Sequence, residues 1–527
     1  MKNPLTPLIL FVAVLVFSQT VPMHFASAAE TGDKSFYNVR SYGAVGDGKN
    51  LDSPAIDKAI QAAAEAGGGT VYLPPGTYLS GTIHLASNIH LFIDMGATIL
   101  AAPQELNAYD EPEHWEGTAY QDGGHTYFRN SLIYGEGLTN IAITGLGMIN
   151  GTALSAEDGK QDDADGFKDW HHPSQTPSDI KLARLGNKAI ALKLCRNVVL
   201  RDITIFRGGH FAILTTGCDN LTVDNVTMDT NRDGIDIDCC RDVMVSNCRI
   251  NSPNDDGLCP KSSFALGRNV ITENMTIVNC MMSGFEVGSL LDGTLKPKPN
   301  GNGRLKFGTE ANGGFRNVTV ANCVFRSCRG LALEEVDGGV LENININNIT
   351  MMDVPYAIYV TTGKRNRGPD VKQPSRMRNV LISGVTADGV SANGGVEIFG
   401  LPEQPIEGLR LENIRLVCKG GGTEEQAAKM PPELGTGYPE PRSNPMPGYG
   451  VFARHVRGLE LANINLSFEK PDQRPAIVCS DADGLEIDNF KAEPPATPGQ
   501  SGRFENVRGL VVRNSPVLNG APGTEAK

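Results

Sequence analysis

The 527-residue chain is poor in aromatic side chains: Phe, Trp and Tyr make up 6% of it, with only two Trp. That share is low for a layered globular core and tolerable for a solenoid packed with small aliphatics. The 11 Cys form no Cys-x-x-Cys pair and no Cys/His cluster, which argues against a structural metal site. Positive charge is in deficit: 47 Lys and Arg face 60 Asp and Glu, a formal net charge of -13. With no broad basic stripe, nucleic acid is not an expected partner. Long apolar runs are missing too, apart from LILFVAVLVF near the start. At ten residues this run is short for a membrane span. Lys2 precedes it, and Ala26-Ser27-Ala28 or Ser27-Ala28-Ala29 follows as a small-residue cleavage site. Residues 1–29 are therefore expected to be a signal peptide, and the protein to be secreted or periplasmic, with no membrane partner after cleavage.

What the chain has in quantity is turns and repeats. Its 60 Gly and 32 Pro punctuate a recurring unit: a polar or glycine residue followed by alternating apolar positions, as in CRNVVLRDITI, CDNLTVDNVTM and CRDVMVSNCRI. Asn197 leads to Asn220 after 23 residues and to Asp242 after 22, while Asn317 to Asn343 and Gly458 to Gly484 are 26 apart. A fixed period of this size marks a solenoid. The units are short, strictly alternating and rich in Val, Ile, Leu and Thr, so they read as strands. The LxxLxL spacing of leucine-rich repeats is absent. The expected fold is all-β, a right-handed parallel β-helix forming one domain over residues 30–514, with a flexible tail at 515–527. An N-terminal cap over about 36–87 contains a helix that Ser53-Pro54 starts and Gly67-Gly68-Gly69 ends. Cys195, Cys218 and Cys240 precede successive strands and are expected as a buried column; a Cys323–Cys328 disulfide stays open.

Chemistry concentrates where the period brings carboxylates together. Asp233 in NRDGIDID and Asp255-Asp256 in SPNDDGL stand 22 residues apart. Residues one coil apart stack at about 4.8 Å, so the three carboxylates should meet on one face. Clustered carboxylates raise one another's proton affinity, as an acid–base pair for glycoside cleavage requires. Arg304 and Lys306, two apart on a strand, share a face. Both can reach one anionic group. A calcium site is the competing reading of the Asp cluster. Asp236 and Asp238 should point outward, either supporting the site from behind or forming a solvated face, the latter more for Asp238, and Glu310, Glu334, Glu335 and Asp337 should be solvated or line subsites.

NRDGID, NDDGL and GRLK at 303–306 resemble, in the same order and similar spacing, three of the four signatures of glycoside hydrolase family 28. The segment YNVRSYGAVGDGKN resembles the entry of the pectate-lyase-like β-helix superfamily. This resemblance implies Asp255 as general acid, Asp233 and Asp256 holding and deprotonating the attacking water, and inversion at the anomeric carbon. It also implies Arg304 and Lys306 on a uronate carboxylate of a galacturonate-containing polysaccharide or oligosaccharide, with no cofactor or metal and a monomeric protein. The fourth signature departs from the family: MMSGFEVGSL places Ser283 where a histidine belongs. His210, one coil before Asp233, is the candidate substitute for substrate binding, with Ser283 itself as a further substrate contact. Long insertions, among them Cys418 to Tyr449, would favour trimming from chain ends if they close the groove. The alternatives are a lyase of the same fold acting on uronates, and a non-catalytic glycan-binding β-helix.

Overall fold

The computed structural model describes residues 35–113, 123–154, 186–368, 371, 373–436, 446–495 and 501–521. The expected signal peptide lies outside them. Among the described residues 35 strands stack coil on coil with parallel pairing, as expected for a β-helix. One inward row shows what holds the coils together. Ile213, Ile235, Leu258, Leu305, Leu331, Ile358, Val396, Val451 and Ile477 pair in sequence. All are buried, each contributing about 1.5–3 kcal/mol of apolar burial.

The polar residue that opens each repeat turns a corner in the left-handed region, where Asn is the best tolerated non-glycine residue. Asn140, Asn197 and Asn220 have φ near +55°. Each donates from its carboxamide to the Asn one coil earlier, at 2.8, 2.8 and 2.9 Å. The same column continues past Asp242, to which Asn274 donates, through Asn317 and Asn343 to Asn379. The period read from the sequence is the spacing of this ladder.

Helix α1, Ser53–Glu65, closes the N-terminal end as expected, burying Ala55, Ile56, Ala59, Ile60 and Ala63 in the main core. His84 pins it: Nδ1 lies 2.8 Å from Asp57 of α1 and Nε2 2.8 Å from Asp110 of the following loop. Hydrogen bonds donated to Asp110 and Asp57 raise the imidazole pKa to about 10. A raised histidine stabilises fully below its unfolded value, near 6.5, and loses that contribution as pH rises through about 10. The urea midpoint is expected to fall between pH 6.5 and 10, and His84→Gln to flatten that fall.

At the other end the chain is packed as far as Ala521. Ser515 accepts from the Phe490 N–H at 2.9 Å and Leu518 is buried in the core, so residues 515–521 are not the flexible tail expected. All 11 Cys are free and buried, Cys323 and Cys328 included. The Cys195–Cys218–Cys240 column stands, with the Cys218 N–H donating to Cys240 Sγ at 3.3 Å.

One parallel sheet carries the site. Its strands are β1 Phe211–Thr216, β2 Asp233–Asp238, β3 Leu258–Lys261, β4 Leu305–Phe307, β5 Leu331–Glu335, β6 Ile358–Thr362, β7 Val396–Phe399 and β8 Val451–Phe468.

Candidate active site

Asp233 opens β2, Asp255 and Asp256 precede β3, and Arg304 precedes β4. Glycine allows these turns to stack so closely. A Cβ at Gly234 would stand 2.3 Å from the Gly257 carbonyl, and one at Gly303, whose φ is +57°, 2.0 Å from the Ser283 carbonyl. The expected convergence of the carboxylates is present. One oxygen each from Asp233, Asp255 and Asp256 lies within 4.8 Å of the others. The Asp256 N–H donates to both Asp233 Oδ1 at 2.9 Å and Asp255 Oδ1 at 3.0 Å.

Their surroundings separate them. Asp256 is buried between Arg304, whose Nε is 2.6 Å from Oδ1, and Lys306, whose Nζ is 2.5 Å from Oδ2. Burial alone would raise this carboxyl, but Arg304, Lys306 and Lys261 hold it far below the ordinary range. Asp233 has no such cation on it among the described residues, and burial, then the charges of Asp255 and Asp236, push it well above that range. Asp255 keeps 29% of its side-chain surface exposed, with Arg232 Nη2 3.2 Å from Oδ2.

Several expectations are revised. Arg304 and Lys306 are expected as substrate contacts, yet both are 4% or less exposed and turned onto Asp256. The physical reason is that a buried carboxylate demands partners of its own. His210 is one register off. Phe211, not His210, pairs with Asp233 because this coil takes 22 residues. The buried His210 ring meets Arg232 Nη1 at 3.2 Å and is covered by Gly124, where a Cβ would stand 2.6 Å from Nε2. Ser283 lies in a buried network: its Oγ donates to Asn251 Oδ1 at 2.9 Å, and Asn251 Nδ2 donates to Asp229. Neither side chain offers a surface to substrate.

The outward acids are not solvated. Asp238 is buried and accepts from Ser263 N at 2.7 Å and Oγ at 2.5 Å. Glu310 is 2.7 Å from Lys261 Nζ, Asp337 pairs with Arg365, and Glu334 Oε1 is 3.5 Å from Arg304. Glu335 is buried and accepts from Gly339 N at 3.0 Å. Loops distant in sequence supply the cover, which strand periodicity alone does not reveal.

Sequence reasoning missed Arg232, Lys261 and Arg329. Arg232 sits inside the NRDG motif itself, and Arg329 stands one coil after Gly303, two residues before Leu331, the strand partner of Leu305. Arg329 is half-buried and close enough to Arg304, Asp256 and Asp255 for their charges to act on it; burial and Arg304 lower its guanidinium. Lys298 donates to Asn254, the neighbour of Asp255. Arg232 and Arg329 thus stand near Asp255, the member of the cluster that reaches solvent, with Lys298 on the neighbouring Asn254.

The family described as rhamnogalacturonase A/epimerase, pectate lyase-like, matches residues 36–259, and the right-handed β-helix region matches 213–373. A probable polygalacturonase of Vitis vinifera is 23% identical over 398 residues, covering 71% of this chain and 73% of that protein. An exo-poly-alpha-D-galacturonosidase of Dickeya chrysanthemi is 24% identical over 411 residues, 69% of this chain; the match spans 64% of that relative's own length. Among solved structures, the family 28 exopolygalacturonase of Yersinia enterocolitica superposes with a TM-score of 0.62 at 17% identity, covering 90% of this chain and 78% of that one, a likeness of fold. Fold and matches together define a right-handed parallel β-helix protein that is similar, over residues 36–259, to the pectate-lyase-like family. The chain also resembles polygalacturonases of glycoside hydrolase family 28.

Proposed function

We propose that this is an exported glycoside hydrolase that cleaves galacturonate-containing pectic polysaccharide or oligosaccharide with inversion, working from chain ends. The observation that carries the reading is the division of states among three neighbouring carboxylates. Asp256 is fixed as an anion by Arg304 and Lys306, Asp233 favours its proton, and Asp255 reaches solvent. Glycoside hydrolysis needs one proton donor and one anion at the scissile bond. Asp255 is the donor, since it alone is substantially exposed. The anion that activates water comes from the Asp233–Asp256 side. The galacturonate specificity in the names of the relatives agrees with the cations Lys298 and Arg329, which are only partly buried and suit a sugar carboxylate. Export follows from the N-terminal apolar run and small-residue cleavage site.

End-wise action follows from how the outer face of the site sheet is covered. On the N-terminal side Phe128 packs on Phe211 and Leu214, and His125 stands against Asp236 and Asp238. On the C-terminal side Met446, Met430 and Leu434 pack on Tyr359, Phe399 and Phe452. Arg454 fixes that second cover through the carbonyls of Pro431 and Pro432 at 2.7 and 2.6 Å. The second cluster reaches Ala332 of β5, so between the covers lie β3 and β4, about 10 Å at the sheet spacing. Among the described residues both ends of this face carry a cover, which supports entry of a polymer by its end. A time course on polygalacturonate is expected to show mono- or disaccharide from the first minutes with little loss of viscosity. An early ladder of random oligomers would sink end-wise action.

The lyase reading has one observation in its favour, the Asp233–Asp255–Asp256 cluster, whose oxygens are close enough to share a cation. Cations of the chain itself already stand on Asp256 and Asp255. Activity is therefore expected to survive a chelator unchanged; loss of activity that Ca²⁺ restores would favour elimination.

A further inference from the structure

We infer that His125 and Asp236 form a buried acid–base pair behind Asp233, and that this pair positions the proton held by the catalytic carboxylates. The inference rests on the hydrolytic reading above and adds two positioning residues to it. His125 arrives from a segment more than 100 residues before β2, the 3-10 turn Gly123–Thr126. Its place is well determined: the ring lies 5.0 Å from that of Phe211, and Lys188 Nζ ties down the adjacent Tyr127 carbonyl at 2.6 Å. Its Nε2 is 3.7 Å from Asp236 Oδ2 and its Nδ1 3.5 Å from Asp238 Oδ2. All three side chains are fully buried.

Asp236 has no structural duty of the usual kind. Neither of its oxygens makes a hydrogen bond among the described residues, although a buried carboxylate ordinarily requires one. What it has instead is charge at close range. From its own strand come Asp233 and Asp238; from β3 and the turn before it, Cys259, Lys261 and Asp256; from the segment after β4, Glu310; from the early loop, His125. Lys261 Nζ is 4.0 Å away, and single ligand atoms of Asp233, Asp236 and Cys259 fall within 4.8 Å of one another. At that separation the ionisation of one carboxyl changes the proton affinity of the next, and the two titrate as a unit. Burial pushes Asp236 up to about 7, against the pull of Lys261 and His125, so its charge is adjustable near neutral pH. When Asp236 is an anion, the proton on Asp233 is held more tightly; a protonated His125 keeps it an anion. No bond in the substrate is made or broken by either residue.

The test is the pH dependence of turnover. Asp236→Asn is expected to move the alkaline limb of kcat down by about one pH unit, the scale of one charge at this distance in a partly screened interior, with KM within about twofold. Asp236→Glu keeps the charge and should leave the limb in place. His125→Asn should lower kcat, and the double variant with Asp236→Asn should turn over no more slowly than Asp236→Asn alone, because coupled residues do not add. An unmoved limb in Asp236→Asn, or losses that add in the double variant, would overturn the inference. An independent readout uses wild-type protein with labelled histidine: the His125 ring signal, assigned by its loss in His125→Asn, should titrate with the limb and shift its midpoint in Asp236→Asn. If no uronate substrate is turned over at all, the hydrolytic reading fails, and this titration still decides the pair: a midpoint indifferent to Asp236 refutes it. Should Asp236→Asn not fold, a His125 signal that ignores the pH range of the activity limb refutes it equally.

Discussion

Asp255→Asn is expected to lower bond cleavage by about 10² to 10⁴-fold, the usual contribution of a general acid, while leaving thermal unfolding nearly unchanged. The two halves of that result have separate causes. Asp255 is the exposed member of the cluster, and its one ion pair, to Arg232 at 3.2 Å, is partly solvated, so an amide in its place removes little from the fold. The chemistry is less forgiving, because the leaving oxygen must receive a proton and Asn cannot give one. A galacturonide with a nitrophenyl leaving group needs less protonation. The loss on it should be at least tenfold smaller than on a pectic oligosaccharide. Equal losses on both would remove Asp255 from the donor role.

Arg304→Met behaves differently, losing stability and activity together. Arg304 and Asp256 are 4% and 1% exposed at the side chain, with Nε and Oδ1 2.6 Å apart. Removing one partner of a buried pair leaves the other charge stranded, a cost of about 3–5 kcal/mol; Lys306 on the second oxygen keeps the loss toward the lower end. The folded Asp256 carboxyl lies below its unfolded value, so the contribution of the pair is complete above about pH 4 and is lost as pH falls through the folded value. The wild-type excess in denaturant midpoint over Arg304→Met should therefore persist across neutral pH and shrink only in strong acid. Activity should fall as well, since Asp256 then competes less well to stay ionised. A variant as stable as wild type would show that Asp256 is not a buried anion.

The period of the repeats made the β-helix and the meeting of Asp233 with Asp255 and Asp256 legible, because stacking converts spacing along the chain into distance. The same arithmetic reached its limit at His210. Coils of 22 and 23 residues alternate in this stretch, and one residue of difference moves the imidazole from Asp233 onto Arg232. Facing was also easier to read than partnering. Arg304 and Lys306 do point to one anionic group, but that group is Asp256. Burial of Asp238, Glu310, Glu334 and Asp337 was illegible because His125, Arg365 and the other covering residues come from loops whose docking no local pattern encodes. Arg232 could have been found: it lies within the motif that identified Asp233 and needed only the question of what balances Asp255.

The central claim is hydrolysis by this carboxylate cluster, and the anomeric configuration of the first product tests it most directly. Purified protein is mixed with oligogalacturonide and a rhamnogalacturonan oligosaccharide, and proton NMR spectra are taken before the product can mutarotate, with ultraviolet absorbance followed in parallel. The account predicts new reducing ends with inverted configuration and no unsaturated-uronate absorbance. Retained configuration would mean that a carboxylate attacks carbon directly, which oxygens within 4.8 Å of one another would permit. Rising absorbance without added water in the product would mean elimination, and Asp255 and Asp256 would then be neither the proton donor nor the water-activating anion of a hydrolase.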